Sequence, residues 1–217
     1  GHCYWPTKTG HMHAALRGRE DLMRRTVDRC HEAGMHVVGY YSLIYNTVEE
    51  DLHPDWRIVC ADGTSRRDQG SRYGLCCPNN PAYRAFVTAQ IEEMAEYFDL
   101  DGLFFDMTFW PEICHCEHCK KRYLAETGRE ELPDGALPKV DWNDPAWLAF
   151  QHLRIKWMGE FAALATQTAK RCIPGVSVEH NYACAIAGSP LLCNTELVND
   201  QCDYAGGDLY GDLYNHS

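Results

Sequence analysis

Apolar residues recur along this chain in two spacings, which together predict alternating helices and strands. A spacing of three to four residues predicts helices over 19–33, from the Asn80 cap to about residue 98, from the cysteine-rich hexapeptide to about residue 126, and from Asp144 to about residue 171. Short apolar runs predict buried strands over 36–42, 102–106 and 176–181, with a fourth near 204–210. The segments between them, above all 43–79 and 128–145, are predicted to be loops.

The residues at the strand ends bear on the kind of sheet that these elements build. Helices alternating with short, fully apolar strands are typical of a parallel sheet, either doubly wound or closed as a (β/α)8 barrel. The three clearest strands end in Ser42, Asp106 and Asn181, and polar functional residues at carboxyl strand ends are typical of the barrel. Neither G-x-G-x-x-G nor a P-loop motif occurs, which disfavours a nucleotide-binding sheet. The pattern therefore favours an α/β fold of the TIM-barrel type.

Strand side chains alternate between the two faces of a sheet, so the apolar positions predict which residues point inward. In 176–181, Ser177, Glu179 and Asn181 are predicted to face the barrel axis, because the valines between them face the helices. In 102–106 the same rule places Asp106 inward. A carboxylate at the end of a buried strand is costly unless water or a ligand meets it. Asp106 is therefore a candidate functional residue, and capping of the next loop is the alternative.

Twelve cysteines are unevenly spread, and three of them form a C-x-C-x-x-C motif over 114–119. This spacing brings three thiolates within reach of one small cation, and a tetrahedral zinc site needs a fourth ligand. His115 and His118 lie within the motif, while Cys76 and Cys77 are chemically closer matches. Free buried thiols or a disulfide are the alternatives to zinc. Reduced zinc thiolates fit the cytoplasm better than a secreted disulfide set does.

Composition and charge narrow the classes of ligand. Apolar residues make up 45% and charged residues 24% of the 217 residues, as in an ordinary globular protein. The formal net charge of −11 disfavours nucleic acid as a partner. No run of 18 apolar residues predicts a membrane span, and the first ten residues contain no apolar signal-peptide core.

Aromatic and acidic residues cluster after the predicted strands. Aromatic faces beside carboxylates suit the C–H faces of sugar rings, although ordinary packing at the rim of the fold is the alternative. The aromatic residues in question are Tyr40, Tyr41, Tyr45, Phe109 and Trp110. Glycoside hydrolysis needs two carboxyl groups, and the acids available around the same rim are Glu112, Glu179, Asp203, Asp208 and Asp212.

The segment Cys77-Pro78-Asn79-Asn80-Pro81-Ala82-Tyr83-Arg84, followed by the C-x-C-x-x-C motif, resembles the β-galactosidases of glycoside hydrolase family 42. In that family the corresponding segments hold a structural zinc ion after the fourth barrel strand. The resemblance implies that the zinc ligands here are Cys77, Cys114, Cys116 and Cys119. Family 42 carries Asn-Glu at the end of that strand, whereas this chain has Phe105-Asp106, and that departure weakens a β-galactosidase assignment.

The strand sequences resemble a second group. Val38-Gly39-Tyr40-Tyr41-Ser42 and Asp101-Gly102-Leu103-Phe104-Phe105-Asp106 are similar to the third and fourth strands of the α-L-fucosidases. There the aspartate that ends strand four is the nucleophile of a retaining mechanism. Taken together, the motifs most resemble the hypothetical glycosyl hydrolase 6 family. Members of that family are commonly joined to a β-galactosidase-type trimerisation domain, which implies a homo-oligomer, and a trimer in the full-length protein.

This resemblance also implies how much of a barrel is present. Residue 1 corresponds to a position near the end of barrel strand two, and the predicted strands correspond to strands three to six. A full barrel takes about 250 residues. We therefore expect residues 1–217 to be a partial TIM-barrel catalytic domain with a zinc-bound loop after strand four, taken from a longer natural protein.

The function expected from residues and resemblance together is a retaining exo-glycosidase of the α-L-fucosidase type. Asp106 is the expected nucleophile, with Glu179 first and Asp208 second as its acid/base partner. Contacts to the sugar are expected from His2, Tyr41, Trp110, His180 and Asn181. A β-galactosidase-like hydrolase, a non-catalytic sugar-binding barrel and a zinc-ribbon interaction module are the alternatives, and the acidic charge disfavours the last of these.

Overall fold

A computed structural model of the chain describes residues 1–133, 140–181, 196–204 and 206. Three strands are present in this part of the chain: β1 (Val38–Ser42), β2 (Gly102–Asp106) and β3 (Ser177–His180). The helices are α1 (Leu22–Glu32), α2 (Thr47–Leu52), α3 (Pro81–Tyr97), α4 (Glu117–Thr127), α5 (Pro145–Cys172) and α6 (Glu196–Asn199). Two short 3-10 turns lie at Ala14–Leu16 and Pro54–Trp56.

The three strands form one parallel sheet in the order β1-β2-β3. Val38 pairs with Gly102 at one end of β1, and Ser42 pairs with Asp106 at the other. Phe105 pairs with His180 across β2 and β3. All carboxyl strand ends therefore meet at one edge, which confirms the predicted α/β fold with a parallel sheet.

The sheet has one covered face and one open face. The covered face carries side chains that pack into the helical core: Tyr41, Leu103, Phe105, Val178 and His180. The open face carries Val38, Tyr40, Phe104, Asp106 and Glu179, of which Tyr40 is 60% exposed. Helices α3 and α5 pack against each other, and both contribute to the core. The alternation predicted for β2 and β3 is confirmed.

The long helices begin where their sequences predict, because each has a side-chain cap followed by proline. Asn80 accepts hydrogen bonds from the backbone N–H groups of Ala82 and Tyr83, and Pro81 opens α3. Asp144 accepts from the N–H of Ala146 in the same way before α5. At the other end of α4, Gly128 adopts φ +72, the left-handed conformation that glycine tolerates best.

The prediction of an uninterrupted loop over 43–79 is wrong. This segment contains α2, whose cap is the Asn46 side chain accepting from the N–H of Glu49. The helix has only 6 residues, too few to show an apolar period. It is held by tertiary contacts instead: the Glu50 carboxylate is buried and accepts a 2.7 Å hydrogen bond from the N–H of Leu75.

The fourth strand predicted near 204–210 falls mostly outside the described residues. Just before it, Asp203 lies along the edge of β3 that faces away from β2. Its N–H donates to the carbonyl of Val178 at 2.8 Å, and its carboxylate accepts from the N–H of Val178 at 2.8 Å. Within the described residues, no helix is both long and apolar enough to cross a membrane.

A candidate active site at the carboxyl ends of the strands

Asp106 is the last residue of the central strand, and its carboxylate is held from three sides. It is only 7% exposed. The Tyr40 hydroxyl donates to Oδ2 at 2.5 Å. The Asn181 side-chain amide donates to Oδ1 at 2.8 Å, and the backbone N–H of Met107 donates to the same oxygen at 2.8 Å. Three donors thus fix both the position and the orientation of this carboxylate.

The backbone directly after Asp106 is strained. Met107 has φ +57 and is the single non-glycine residue with positive φ among the described residues. Such a conformation persists only where the surroundings enforce it, and it clusters at functional sites. Here Thr108 supplies the restraint, since its N–H donates to the carbonyl of Asn181 at 3.0 Å and its hydroxyl donates to the carbonyl of Phe105 at 3.1 Å.

The sequence reasoning named Tyr40 among the rim aromatic residues but chose the neighbouring Tyr41 as the substrate contact, and so missed the contact of Tyr40 with Asp106. Tyr41 lies on the covered face, 8% exposed, with its ring 6.5 Å from that of Phe105. Burial raises the pKa of its phenol. Its hydroxyl has no hydrogen-bond partner among the described residues. Strict alternation from Ser42, the register partner of Asp106, would have selected Tyr40.

His180 also lies on the covered face, which corrects its predicted role as a sugar contact. It is fully buried, and its two ring nitrogens lie 3.0 Å from the Thr108 hydroxyl and 2.8 Å from the Thr166 hydroxyl. Burial lowers its pKa to about 3. The ring is therefore neutral and ties the loop after β2 to α5. The alternation rule itself would have placed it away from Asn181.

Trp110 is likewise a core residue, contrary to its predicted contact with substrate. It is 1% exposed. Its ring centroid lies 6.1 Å from that of Trp157 on α5, and the Arg154 guanidinium lies 5.7 Å from the ring. Whether an aromatic residue after a strand lies at the rim or in the core depends on how the following loop turns. The local sequence pattern does not predict that turn.

Of the other predicted site residues, Glu179 and His2 lie in different places in the described part of the chain. Glu179 is on the open face in register with Phe104, one strand away from Asp106. A Cβ atom at Gly206 would lie 1.6 Å from its Oε1, so the carboxyl group abuts that glycine. His2 is exposed and lines a cavity of about 810 Å³ that also touches Tyr40 and Met107. Asp208 falls outside the described residues.

Beside Asp106 lies a rim of aromatic and charged side chains. The ring of Tyr45 is 5.8 Å from that of Phe109 and 5.6 Å from that of Tyr73. Burial raises the pKa of Tyr45, with Arg66 opposing and the carboxylates of Glu112 and Asp106 adding to the rise. Arg66 and Glu112 form an ion pair at 2.7 Å.

The cysteines of the C-x-C-x-x-C motif come together with Cys77. The Sγ atoms of Cys77, Cys114, Cys116 and Cys119 all lie within 4.8 Å of one another, and all four residues are buried. Cys77 Sγ lies 3.4 Å from that of Cys119 and 3.6 Å from that of Cys116. Tetrahedral zinc with Zn–S bonds of 2.3 Å requires S–S distances of about 3.8 Å. The donor set therefore fits a tetrahedral cation.

Of the two neighbouring cysteines 76 and 77, it is Cys77 that faces the cluster. The backbone N–H of Asn79 donates to Cys77 Sγ and its side-chain amide donates to Cys119 Sγ, both at 3.4 Å. Cys76 instead lies with its sulfur 3.7 Å from the carbonyl of Asn46, away from the cluster. Burial raises the pKa of the Cys77 thiol, and a bound cation would offset this by stabilising the thiolate.

Comparison with known proteins agrees with the fold described above and with the family resemblance seen in the sequence. Residues 1–107 match the model of a family described as hypothetical glycosyl hydrolase 6, which confirms the resemblance seen in the sequence. No curated protein sequence matches the chain. Several solved structures resemble its fold.

Three of these structures are glycosidases. α-L-Fucosidase isoenzyme 2 from Paenibacillus thiaminolyticus superimposes with a TM-score of 0.64 at 22% identity, over 83% of this chain and 25% of that one. For the glycoside hydrolase domain of PgaB (BpsB) from Bordetella bronchiseptica the TM-score is 0.70 at 17% identity, over 95% and 58% of the two chains. A catalytic mutant of Gan42B, a GH42 β-galactosidase from G. stearothermophilus, gives 0.67 at 12% identity, over 93% and 34%.

At these identities the likeness shows the fold alone. The chain spans between a quarter and about three fifths of the length of these solved structures. The chain therefore matches the hypothetical glycosyl hydrolase 6 family over its first 107 residues and shares its described fold with barrel glycosidases.

Proposed function

We propose that this chain forms part of the catalytic domain of a glycoside hydrolase that removes a terminal sugar from its substrate. The observation that carries the proposal is the Asp106 carboxylate, buried at the carboxyl end of the central described strand and fixed by Tyr40, Asn181 and the N–H of Met107. A barrel enzyme keeps its reacting groups at this edge of the sheet.

The proposed mechanism is retaining, with Asp106 as nucleophile. A carboxylate oxygen attacks the anomeric carbon, the glycosidic C–O bond breaks, and the leaving oxygen takes a proton from a second carboxyl group. Water then hydrolyses the glycosyl ester, and the same second group accepts a proton from that water. Glu179 is our first assignment for this partner because it lies on the same face as Asp106; Asp208 is the second.

The finer proposal is an α-L-fucosidase-like activity. It is supported by the resemblance of the sequences around β1 and β2 to the corresponding fucosidase strands, and by the aspartate at the end of β2 where family 42 has a glutamate. In this proposal, Asn181 acts on the substrate indirectly by holding Asp106, and His2 contacts the substrate from the cavity wall.

A non-catalytic sugar-binding barrel is the second candidate. It is favoured by the engagement of the nearby acids, since the Glu179 carboxyl abuts Gly206 and Glu112 is paired with Arg66. A β-galactosidase-like hydrolase is favoured by the cysteine segments alone.

The four clustered cysteines are proposed to hold a structural zinc ion. Cys77 precedes α3, whereas the other three lie around the start of α4, so the cluster ties together two segments that are distant in sequence. Zinc would supply charge balance for buried thiolates, and four thiolates leave no open position for water. The proposed role is therefore to hold the loop after β2 in place.

Replacement of Asp106 tests the proposed function. Asp106→Asn should lower hydrolysis of activated aryl glycosides on the order of a thousand-fold or more, as expected when a nucleophile is lost. Asp28→Asn, on the exposed side of α1, is the control and should behave as wild type. A panel of aryl glycosides, including fucosides and galactosides, identifies the sugar.

A second measurement separates a nucleophile from a structural residue. Azide added to an Asp106→Gly variant should restore release of the aryl alcohol and yield a glycosyl azide of inverted configuration. Full activity of Asp106→Asn would exclude the nucleophile role, and sugar binding without hydrolysis by the wild-type protein would favour the non-catalytic barrel.

A further inference from the structure

The two oxygens of the Asp106 carboxylate are held differently. Oδ1 accepts two hydrogen bonds, from the Asn181 amide and the Met107 N–H, each at 2.8 Å. Oδ2 accepts one, from the Tyr40 hydroxyl at 2.5 Å. A carboxylate oxygen has two in-plane lone pairs. Among the described residues, both lone pairs of Oδ1 accept a hydrogen bond, whereas one lone pair of Oδ2 does not.

We propose that Oδ2 is the oxygen that attacks the anomeric carbon and that Tyr40 is the positioning residue for it, an inference that rests on the proposed function. Tyr40 suits this role because it lies on the open face and is 60% exposed. Its neighbour Tyr41 points to the covered face and makes no hydrogen bond through its hydroxyl within the described chain.

The hydrogen bond from Tyr40 follows the charge on Oδ2 through the reaction. When Oδ2 forms its bond to the anomeric carbon, the electron pair of the glycosidic bond leaves with the departing oxygen, and Oδ2 becomes a neutral ester oxygen. When water attacks that carbon, the C–Oδ2 bond breaks and its electron pair returns to Oδ2. The Tyr40 hydroxyl stabilises this returning charge, so it assists the departure of Asp106 from the intermediate.

Loss of the hydroxyl should therefore slow the second step more than the first. With aryl glycosides that have good leaving groups, the glycosyl intermediate should accumulate in Tyr40→Phe. The expected result is a fall in kcat of roughly 10-fold to 100-fold, from the usual strength of a hydrogen bond to a charged group. KM should fall with it, and a burst of aryl alcohol should precede steady turnover. A purely structural defect does not lower KM.

Tyr41→Phe is the matched control, since it removes the same hydroxyl from the adjacent residue on the opposite face. It should keep the wild-type kcat and KM and show no burst. The wild-type protein and Asp106→Asn are assayed alongside, in the full natural chain. An active wild type, an inactive Asp106→Asn and a burst confined to Tyr40→Phe support the inference.

Two results would overturn the inference. If wild type is active and Asp106→Asn is not, but Tyr40→Phe matches wild type or Tyr41→Phe shows the same defect, Tyr40 does not position Oδ2 and the proposed function stands. If wild type is inactive or Asp106→Asn keeps full activity, the proposed function fails and the role of Tyr40 fails with it.

Discussion

At the scale of single residues, His180 shows what a side chain on the covered face of β3 contributes to the fold. Its ring lies between Thr108 and Thr166, and it joins the strained turn behind Asp106 to α5. Burial lowers its pKa from the ordinary value of 6.5 to about 3. Between these two pH values the ring is therefore neutral in the folded protein but protonated in the unfolded chain.

The first prediction concerns this histidine and pH. Because the unfolded chain takes up the proton first, the contribution of His180 to the free energy of unfolding is complete above pH 6.5 and declines as pH falls towards 3. Between pH 7 and pH 5 the loss should be about 2 kcal/mol. Urea unfolding of wild type and His180→Gln measures it, because the variant lacks that slope.

Exposed His152 on α5 provides the control for this measurement. His152→Gln should keep the wild-type pH slope between pH 7 and pH 5. An equal slope in wild type and His180→Gln would show that His180 is not the group responsible.

At the scale of elements, the two long helices start in the same way but in different surroundings. Asn80 before α3 is 1% exposed, and besides capping the helix it donates through Nδ2 to the carbonyl of Asp55 at 2.9 Å. Asp144 before α5 is exposed, and the hydrogen bond described for its side chain is the one that caps its own helix. The same local motif therefore has a tertiary function in one case.

The second prediction compares these caps. Asp144→Ala should cost about 1 kcal/mol, the usual value of an N-cap. Asn80→Ala should cost roughly 2–3 kcal/mol, because it also removes the hydrogen bond that the buried Asn80 amide donates to the carbonyl of Asp55. Chemical denaturation of both variants measures the difference; equal losses would mean that the bond to Asp55 contributes nothing.

At the scale of the molecule, the cysteine cluster joins the segment before α3 to the loop that follows β2. Cys77 Sγ meets that of Cys119 across 42 residues of sequence. This link encloses α3 and β2, so the end of the central strand is tied to the rest of the fold. A cation bound by this cluster would therefore stabilise the whole domain, and its removal should destabilise it.

The third prediction is that the purified protein contains zinc and that Cys119→Ser does not. Loss of the ion should lower stability by several kcal/mol, seen as a lower Tm, and a chelator should have the same effect on wild type. Cys76→Ser is the matched control, since Cys76 is equally buried but points to Asn46. Wild-type protein without metal, or equal metal loss in Cys76→Ser, would contradict the assignment.

The local patterns in the sequence determined the elements and the faces of β2 and β3. Asn80 with Pro81, and Asp144 with the proline after it, predict the starts of α3 and α5 because capping involves only neighbouring residues. The two-residue alternation predicts that Asp106 and Glu179 share a face. The short helix α2 was not predicted, because it is stabilised by tertiary hydrogen bonds and its sequence shows no apolar period.

The tertiary structure decided which side chains meet. Tyr40 reaches Asp106 across 66 residues and Asn181 reaches it across 75, and these contacts depend on strand register rather than on any local pattern. The choice of Cys77 over Cys76, and of core packing over substrate contact for Trp110, depends in the same way on how a loop turns. Sequence spacing sets the period within one element, whereas contacts between elements arise only when the whole core is packed.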